Sequence, residues 1–281
     1  MAKDKNGSGW IGSIAVIVGT VASTSILSVT APQFFWGMAA LSAETNSTIP
    51  NVVAQKESAA AYFAQGVAFA QQKDWRKAET SFRKGIALDP NYAAAYYNLG
   101  VVLGKQGKSA EEIAAFQRAI SLNPNDAYAY NNLGVVLGKQ DKPAEAIDAF
   151  QKAIMLNPND AKAYSNLGFV LGKQGKTAEA IAAYQKAISL NPNDAKAYNN
   201  LGTALGEQGK LAAAIAAYQK AISLNPNDAY AYNNLGNALG KQGKTAAAID
   251  AYQKARDLYR SQGKTQDVDR ITQALKQLGS R

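Results

Sequence analysis

Between residues 59 and 262 the apolar residues fall in short stripes, two per unit, each with the spacing of a helix that buries one side. In residues 127–160, Ala129, Tyr130, Leu133, Gly134, Val136 and Leu137 recur at i, i+1, i+4, i+5, i+7 and i+8. Ala146, Ile147, Phe150, Ala153 and Ile154 form a second stripe. Both are the pattern of an amphipathic helix. Between them, Lys-Gln-Asp-Lys-Pro (Lys-Gln-Gly-Lys-Ser or -Thr in most other units) reads as a turn that ends near an N-cap at Ser109, Thr177 and Thr245. Asn-Pro-Asn-Asp closes the second helix and opens the next one. Asp126, Asp160 and Asp194 stand at those openings, where helix capping accounts for them fully.

The pattern repeats. Pro90, Pro124, Pro158, Pro192 and Pro226 are each 34 residues apart. One unit of this size cannot bury its apolar face alone, so such a period implies a stacked array. With position 1 at Ala59, the units are 59–92, 93–126, 127–160, 161–194, 195–228 and 229–262. Unit 4 reads Tyr164-x2-Leu167-Gly168, then Ala180-x3-Tyr184-x2-Ala187 and Pro192. This resembles the tetratricopeptide repeat (TPR). The departures are Gln65 and Gly85 in unit 1, Glu112 in place of an alanine in unit 2, and Arg260 in place of the proline in unit 6. The resemblance implies an all-α, right-handed solenoid of six helix-turn-helix repeats. Residues 263–281 follow, where Val268, Ile271, Leu275 and Leu278 line one side of a capping helix.

In the first helix of each unit, positions 3, 4, 7, 8, 10 and 11 gather into the apolar arc, and positions 2, 5, 6, 9, 12 and 13 fill the opposite one. In TPR proteins that second arc lines an inner groove that holds a peptide or a partner helix. By resemblance, the groove carries Asn98, Asn132, Asn166, Asn200 and Asn234 at position 6, a ladder of amides able to bond a ligand backbone whatever its sequence. Alternatively, asparagine is simply common at this position. Lys105, Lys139, Lys173 and Lys241 stand at position 13, with Glu207 as the exception. Such a row attracts an acidic or extended partner segment, whereas any single lysine is also an ordinary solvated side chain. Position 9 runs from Val101, Val135 and Phe169 to Thr203 and Asn237, so one end of the groove is apolar and the other polar. Glycine fills position 12 from Gly104 to Gly240, at a cost of about 1 kcal/mol each relative to alanine, and the expected return is a deeper channel.

Upstream of the repeats, residues 1–10 are short and polar, and Ile11 to Thr30 carry no charge. A helix of that length spans roughly 30 Å, the thickness of a bilayer core. Residues 11–31 are therefore expected to form a single transmembrane anchor, with Phe34, Phe35 and Trp36 at the interface. A cleaved secretory signal is the alternative, although its apolar core would be shorter. Ala15, Gly19 and Ser23 form a small-residue row that can pair helices, or that a span simply tolerates. Lys3 and Lys5 place the N-terminus on the cytoplasmic side and the repeats opposite. Residues 32–58 read as an interfacial segment and a flexible linker. The layout resembles membrane-anchored cyanobacterial and plastid TPR proteins that support photosystem assembly or bind protochlorophyllide oxidoreductase. That implies a scaffold in a thylakoid or plasma membrane. A released periplasmic adaptor and a regulatory subunit of a transferase on another chain remain the rival readings.

The composition narrows the chemistry. There is no cysteine and no histidine, which removes thiolate nucleophiles, the usual zinc ligands and histidine acid–base catalysis. No catalytic, cofactor or metal constellation appears, and an enzyme is not expected. The net charge of +9 favours acidic partners, but the lysines are spread at repeat period and form no nucleic-acid module.

Overall fold

This computed structural model describes residues 45–279, and among them every regular element is a helix. In chain order these are α1 (Thr45–Gln71), α2 (Trp75–Leu88), α3 (Ala93–Lys105), α4 (Ser109–Leu122), α5 (Ala127–Lys139) and α6 (Pro143–Leu156). They continue as α7 (Ala161–Lys173), α8 (Thr177–Leu190), α9 (Ala195–Glu207), α10 (Leu211–Leu224), α11 (Ala229–Lys241), α12 (Thr245–Ser261) and α13 (Thr265–Gly279). Odd-numbered helices from α1 to α11 are the first helices (A) of the repeats, and even-numbered ones the second (B). The chain divides within α5 into two compact units, one reaching Val136 and the other starting at Leu137.

Local rules set the helix ends. Asp160 accepts from the backbone N–H groups of Lys162 and Ala163, and Asp194 and Asp228 repeat this cap. The turns close differently from expectation. Ser109, Thr177 and Thr245 are the first helical residues, and the lysine before each is the N-cap, with no side-chain bond. The reason lies one residue earlier. Gly107, Gly175, Gly209 and Gly243 adopt φ of 71 to 80°, and this left-handed turn brings the following lysine to the helix entrance. Lys73 and Asp141 hold the same turn position with φ of 61 and 59°, without glycine's freedom. Where Arg260 replaces the proline, α12 runs 17 residues against 14 in α8 and α10.

In the N-terminal unit, α1 packs on α2, α2 on α3 and α3 on α4. Phe63, Val67, Phe82, Leu99, Val102 and Leu103 form its core. The flexible linker expected before Ala59 is helical from Thr45. Ala59, Phe63 and Val67 are packed and provide the nucleus, and Ala54 to Ala61, rich in good helix formers, let it propagate backwards. Glu79 stands where units 3 to 5 have Ile147, Ile181 and Ile215. It accepts from Lys108, Gln106 and Arg83, and Arg83 also bonds Glu111, so a polar network ties α2 to the α3–α4 hairpin. Burial pushes the Glu79 carboxyl up, but those hydrogen bonds outweigh it and hold the pKa at about 2.

The C-terminal unit stacks α6 through α13, each helix on the next. Ala163, Leu167, Val170 and Leu171 of α7 are buried, as are Ala180, Tyr184 and Ala187 of α8, and α9 to α12 repeat the scheme. Helix α13 packs on α12 with Ile271 fully buried, as a cap requires, and Leu278 reaches the neighbourhood of Gly240. The expected transmembrane segment, residues 11–31, lies outside the described residues. Among the described residues no helix is long and apolar enough to cross a membrane.

Candidate functional site

The two glycines of each helix A face different surroundings. A Cβ on Gly202 (position 8) would lie 2.6 Å from the ring of Tyr218, and one on Gly168 2.9 Å from Tyr184. Position 8 is therefore glycine because the aromatic ring of helix B, at position 24, lies against the backbone. At position 12 the neighbours are distant: a Cβ on Gly172 or Gly206 would meet only an alanine Cβ, at 3.8 and 3.9 Å. These glycines leave space rather than fill a contact. Gly104 is the exception, since a Cβ there would lie 2.7 Å from the Glu112 carboxyl carbon. The glycine makes room for Glu112, which stands at a position that is alanine in the other units.

The vacated space forms two successive cavities in the C-terminal unit. One, of about 180 Å3, is lined by Phe169, Gly172, Lys173, Tyr184, Asn200, Thr203, Ala204 and Glu207. The next, of about 220 Å3, is bounded chiefly by Thr203, Glu207, Tyr218, Asn234, Asn237 and Lys241. Both draw on positions 6, 9, 12 and 13 of neighbouring A helices, and α7 touches α9 as α9 touches α11. Their floors are tyrosines. Tyr184 lines the first and Tyr218 the second; Tyr218 Oη lies 3.3 Å from Thr203 Oγ1, and Tyr252, which lines neither, donates from Oη to Asn237 Oδ1 at 2.8 Å. Burial raises the Tyr184, Tyr218 and Tyr252 phenols above their ordinary range. The phenols are therefore neutral hydroxyls at physiological pH. In the earlier units Phe116 and Phe150 hold position 24, opposite Val101 and Val135 at position 9. Position 24 changes to tyrosine at Tyr184, one unit before position 9 turns polar at Thr203, and together the two changes are the sequence signal for a polar floor.

The asparagine ladder is placed differently from expectation. The helical wheel puts position 6 on the open arc, yet Asn98, Asn132 and Asn166 are buried, and Asn200 and Asn234 are half-buried. Successive A helices lie side by side, so position 6 of one meets position 5 of the one before. Asn132 Nδ2 donates to Tyr97 Oη at 3.0 Å, and Asn234 Nδ2 to Asn199 Oδ1 at 3.1 Å. Asn98 Nδ2 bonds back to Ala94 O. Asn132 and Asn234 thus join neighbouring A helices, and of the five amides Asn200 and Asn234 line the two cavities. Val135 is buried as well, and Val101 and Phe169 are half-buried. Lys105, Lys139, Lys173 and Lys241 are all exposed, with Lys173 resting over the Phe169 ring at 5.1 Å. Among the described residues no group of acidic, histidine or cysteine side chains is placed to hold a metal.

Models of the tetratricopeptide repeat match residues 52–92, 63–127, 127–160, 149–182 and 229–262, and a TPR repeat model matches 173–209 and 204–243. No curated protein matches the sequence. Among solved structures, MamA is 31% identical with a TM-score of 0.56, over 62% of this chain and 94% of MamA. YrrB, described as a TPR protein with an unusual peptide-binding site, is 27% identical with a TM-score of 0.55, over 63% of this chain and 91% of its own. PilF of Pseudomonas aeruginosa, at 20% identity, shares the fold with a TM-score of 0.67, over 79% of this chain and 99% of its own.

Proposed function

The chain belongs to the tetratricopeptide repeat family and is a protein–protein interaction scaffold, and from this we propose that it takes an extended partner segment along α7, α9 and α11. The observation that carries this reading is the pair of like-built cavities one repeat apart, each floored by a tyrosine and edged by position 13 charges. A row of matched cavities suits side chains arriving at regular spacing, and the half-buried amides of Asn200 and Asn234 suit a ligand backbone. The peptide-binding site described for YrrB supports the same use of the fold. The exposed lysines Lys173 and Lys241 favour a segment with acidic side chains and hasten its arrival. In this reading the uncharged run from Ile11 to Thr30 anchors the scaffold in a membrane, with the repeats on the side opposite the cytoplasm. There the scaffold holds the parts of a membrane complex together, a photosynthetic one by its layout.

The test is photo-crosslinking in native membranes, with the reactive residue at Thr203 or Asn237 in the groove, or at exposed Gln219 on helix B. The groove positions should capture one partner segment and Gln219 should not. Capture at Gln219 alone would move the binding surface to the other face. Carbonate washing of the same membranes should leave the full chain in the pellet, and its release into the wash would remove the anchor.

A further inference from the structure

We propose that Glu207 seats a basic side chain of the bound segment, with acidic side chains on either side of it at Lys173 and Lys241. This rests on the groove reading above and adds the charge order of the ligand. Position 13 is the last residue of each helix A, and there a lysine is favoured by the partial negative charge of the helix C-terminus. That effect accounts for the lysines without any ligand. It opposes Glu207, which ends α9 and leaves its last turn with no basic residue. Intrachain pairing does not account for Glu207 either. It is exposed, and among the described residues neither it nor Lys173 nor Lys241 joins a salt bridge.

Its position is central. Glu207 borders both cavities, and its negative field reaches the phenols of Tyr184 and Tyr218. On a chain of net charge +9, a carboxylate set in a row of lysines is where a cation is drawn in rather than repelled. The adjoining walls, Phe169 and Tyr184 on one side and Leu211 and Tyr218 on the other, suit the apolar stem of a lysine or the flat guanidinium of an arginine. The register follows from helix spacing. Packed helices lie about 8–10 Å apart, and an extended chain advances about 3.3 Å per residue, so neighbouring position 13 sites are three ligand residues apart. The ligand is an extended segment with the order acidic, two residues, basic, two residues, acidic.

The probe is a displayed library of random nonapeptides, selected on the full chain, on Glu207→Lys and on Thr203→Trp, which fills the shared wall of both cavities. Glu207→Lys restores the lysine of the other helix ends and should melt no lower than the parent. On the parent, enriched peptides should carry Arg or Lys three residues from Asp or Glu on each side. The strongest should lose at least tenfold in affinity on Glu207→Lys and recover it when its basic residue becomes Glu. Unchanged affinity on Glu207→Lys, with binding still lost on Thr203→Trp, would overturn the role of Glu207 and leave the groove standing. Binding indifferent to Thr203→Trp, or no enrichment on the parent, would overturn the groove reading itself.

Discussion

Glycine at position 12 and glycine at position 8 are four residues apart on the same helix, and replacing each by alanine should move stability in opposite directions. In a helix interior the exchange gains about 1 kcal/mol, because glycine loses more backbone freedom on folding. At Gly206 nothing opposes the gain, since the new Cβ would sit in ordinary contact with Ala214 at 3.9 Å. Gly172 is equivalent, with Ala180 at 3.8 Å. At Gly202 the same methyl would lie 2.6 and 2.8 Å from two carbons of the Tyr218 ring, which is itself buried. Forcing such a ring aside costs about 1–3 kcal/mol, which cancels or exceeds the helical gain. Thermal unfolding of the full chain, followed by circular dichroism, reads the difference. Gly206→Ala should raise the midpoint by about 2–4 °C, the shift expected for about 1 kcal/mol in an array of this size. Gly172→Ala should do the same and nearly add to it, while Gly202→Ala should lower the midpoint. The stabilised pair should also bind its partner less well, because Gly172 and Gly206 line the cavities and the methyls take up part of their space. A Gly206→Ala protein less stable than its parent, or a Gly202→Ala protein more stable, would refute the assignment of the two glycines to different faces.

Acid should act through Glu79. Its pKa is held at about 2 in the fold against 4.5 for the free group, so its contribution is complete above pH 4.5 and fades as pH falls towards 2. Allowing for its exposed partners, this is worth about 2 kcal/mol, and Glu79→Gln should flatten urea stability across that window, whereas a slope equal to the parent's would refute the network. Asn132→Ala should cost about 1–3 kcal/mol, because it strands the buried Tyr97 hydroxyl, and restoration by a second change of Tyr97→Phe is the check. Leu167→Ala should cost about 2–5 kcal/mol while Lys176→Ala, on an exposed residue, should be nearly silent; equal melting shifts would contradict the helix faces.

Most of what depends on local spacing was legible in the sequence, although the N-caps expected at Ser109, Thr177 and Thr245 fall one residue earlier. The helix pairs, their 34-residue period and the aspartate caps are all fixed within one turn or one repeat, the apolar-to-polar grading of position 9 is read by comparing repeats, and a period repeated six times averages out local ambiguity. The helical run before Ala59 was not legible, because it lacks a strong apolar stripe and extends from a nucleus that packing supplies. Which side of helix A is open follows from the packing of the stack. The helical wheel has one buried arc, but an inner A helix such as α9 has four neighbours, the B helices α8 and α10 and the A helices α7 and α11. Side-by-side contact with α3 takes Asn132 from the surface, through Tyr97, and positions 9 and 13 of α7, α9 and α11, with Gly172 and Gly206 at position 12, are left facing the cavities. The same holds for the meaning of glycine. Gly202 and Gly206 read alike in the sequence, and only the path of the Tyr218 ring shows that one is filled and the other vacant. Contacts between residues one repeat apart depend on how far each helix is rotated about its axis, and that angle is set by the packing of both layers at once.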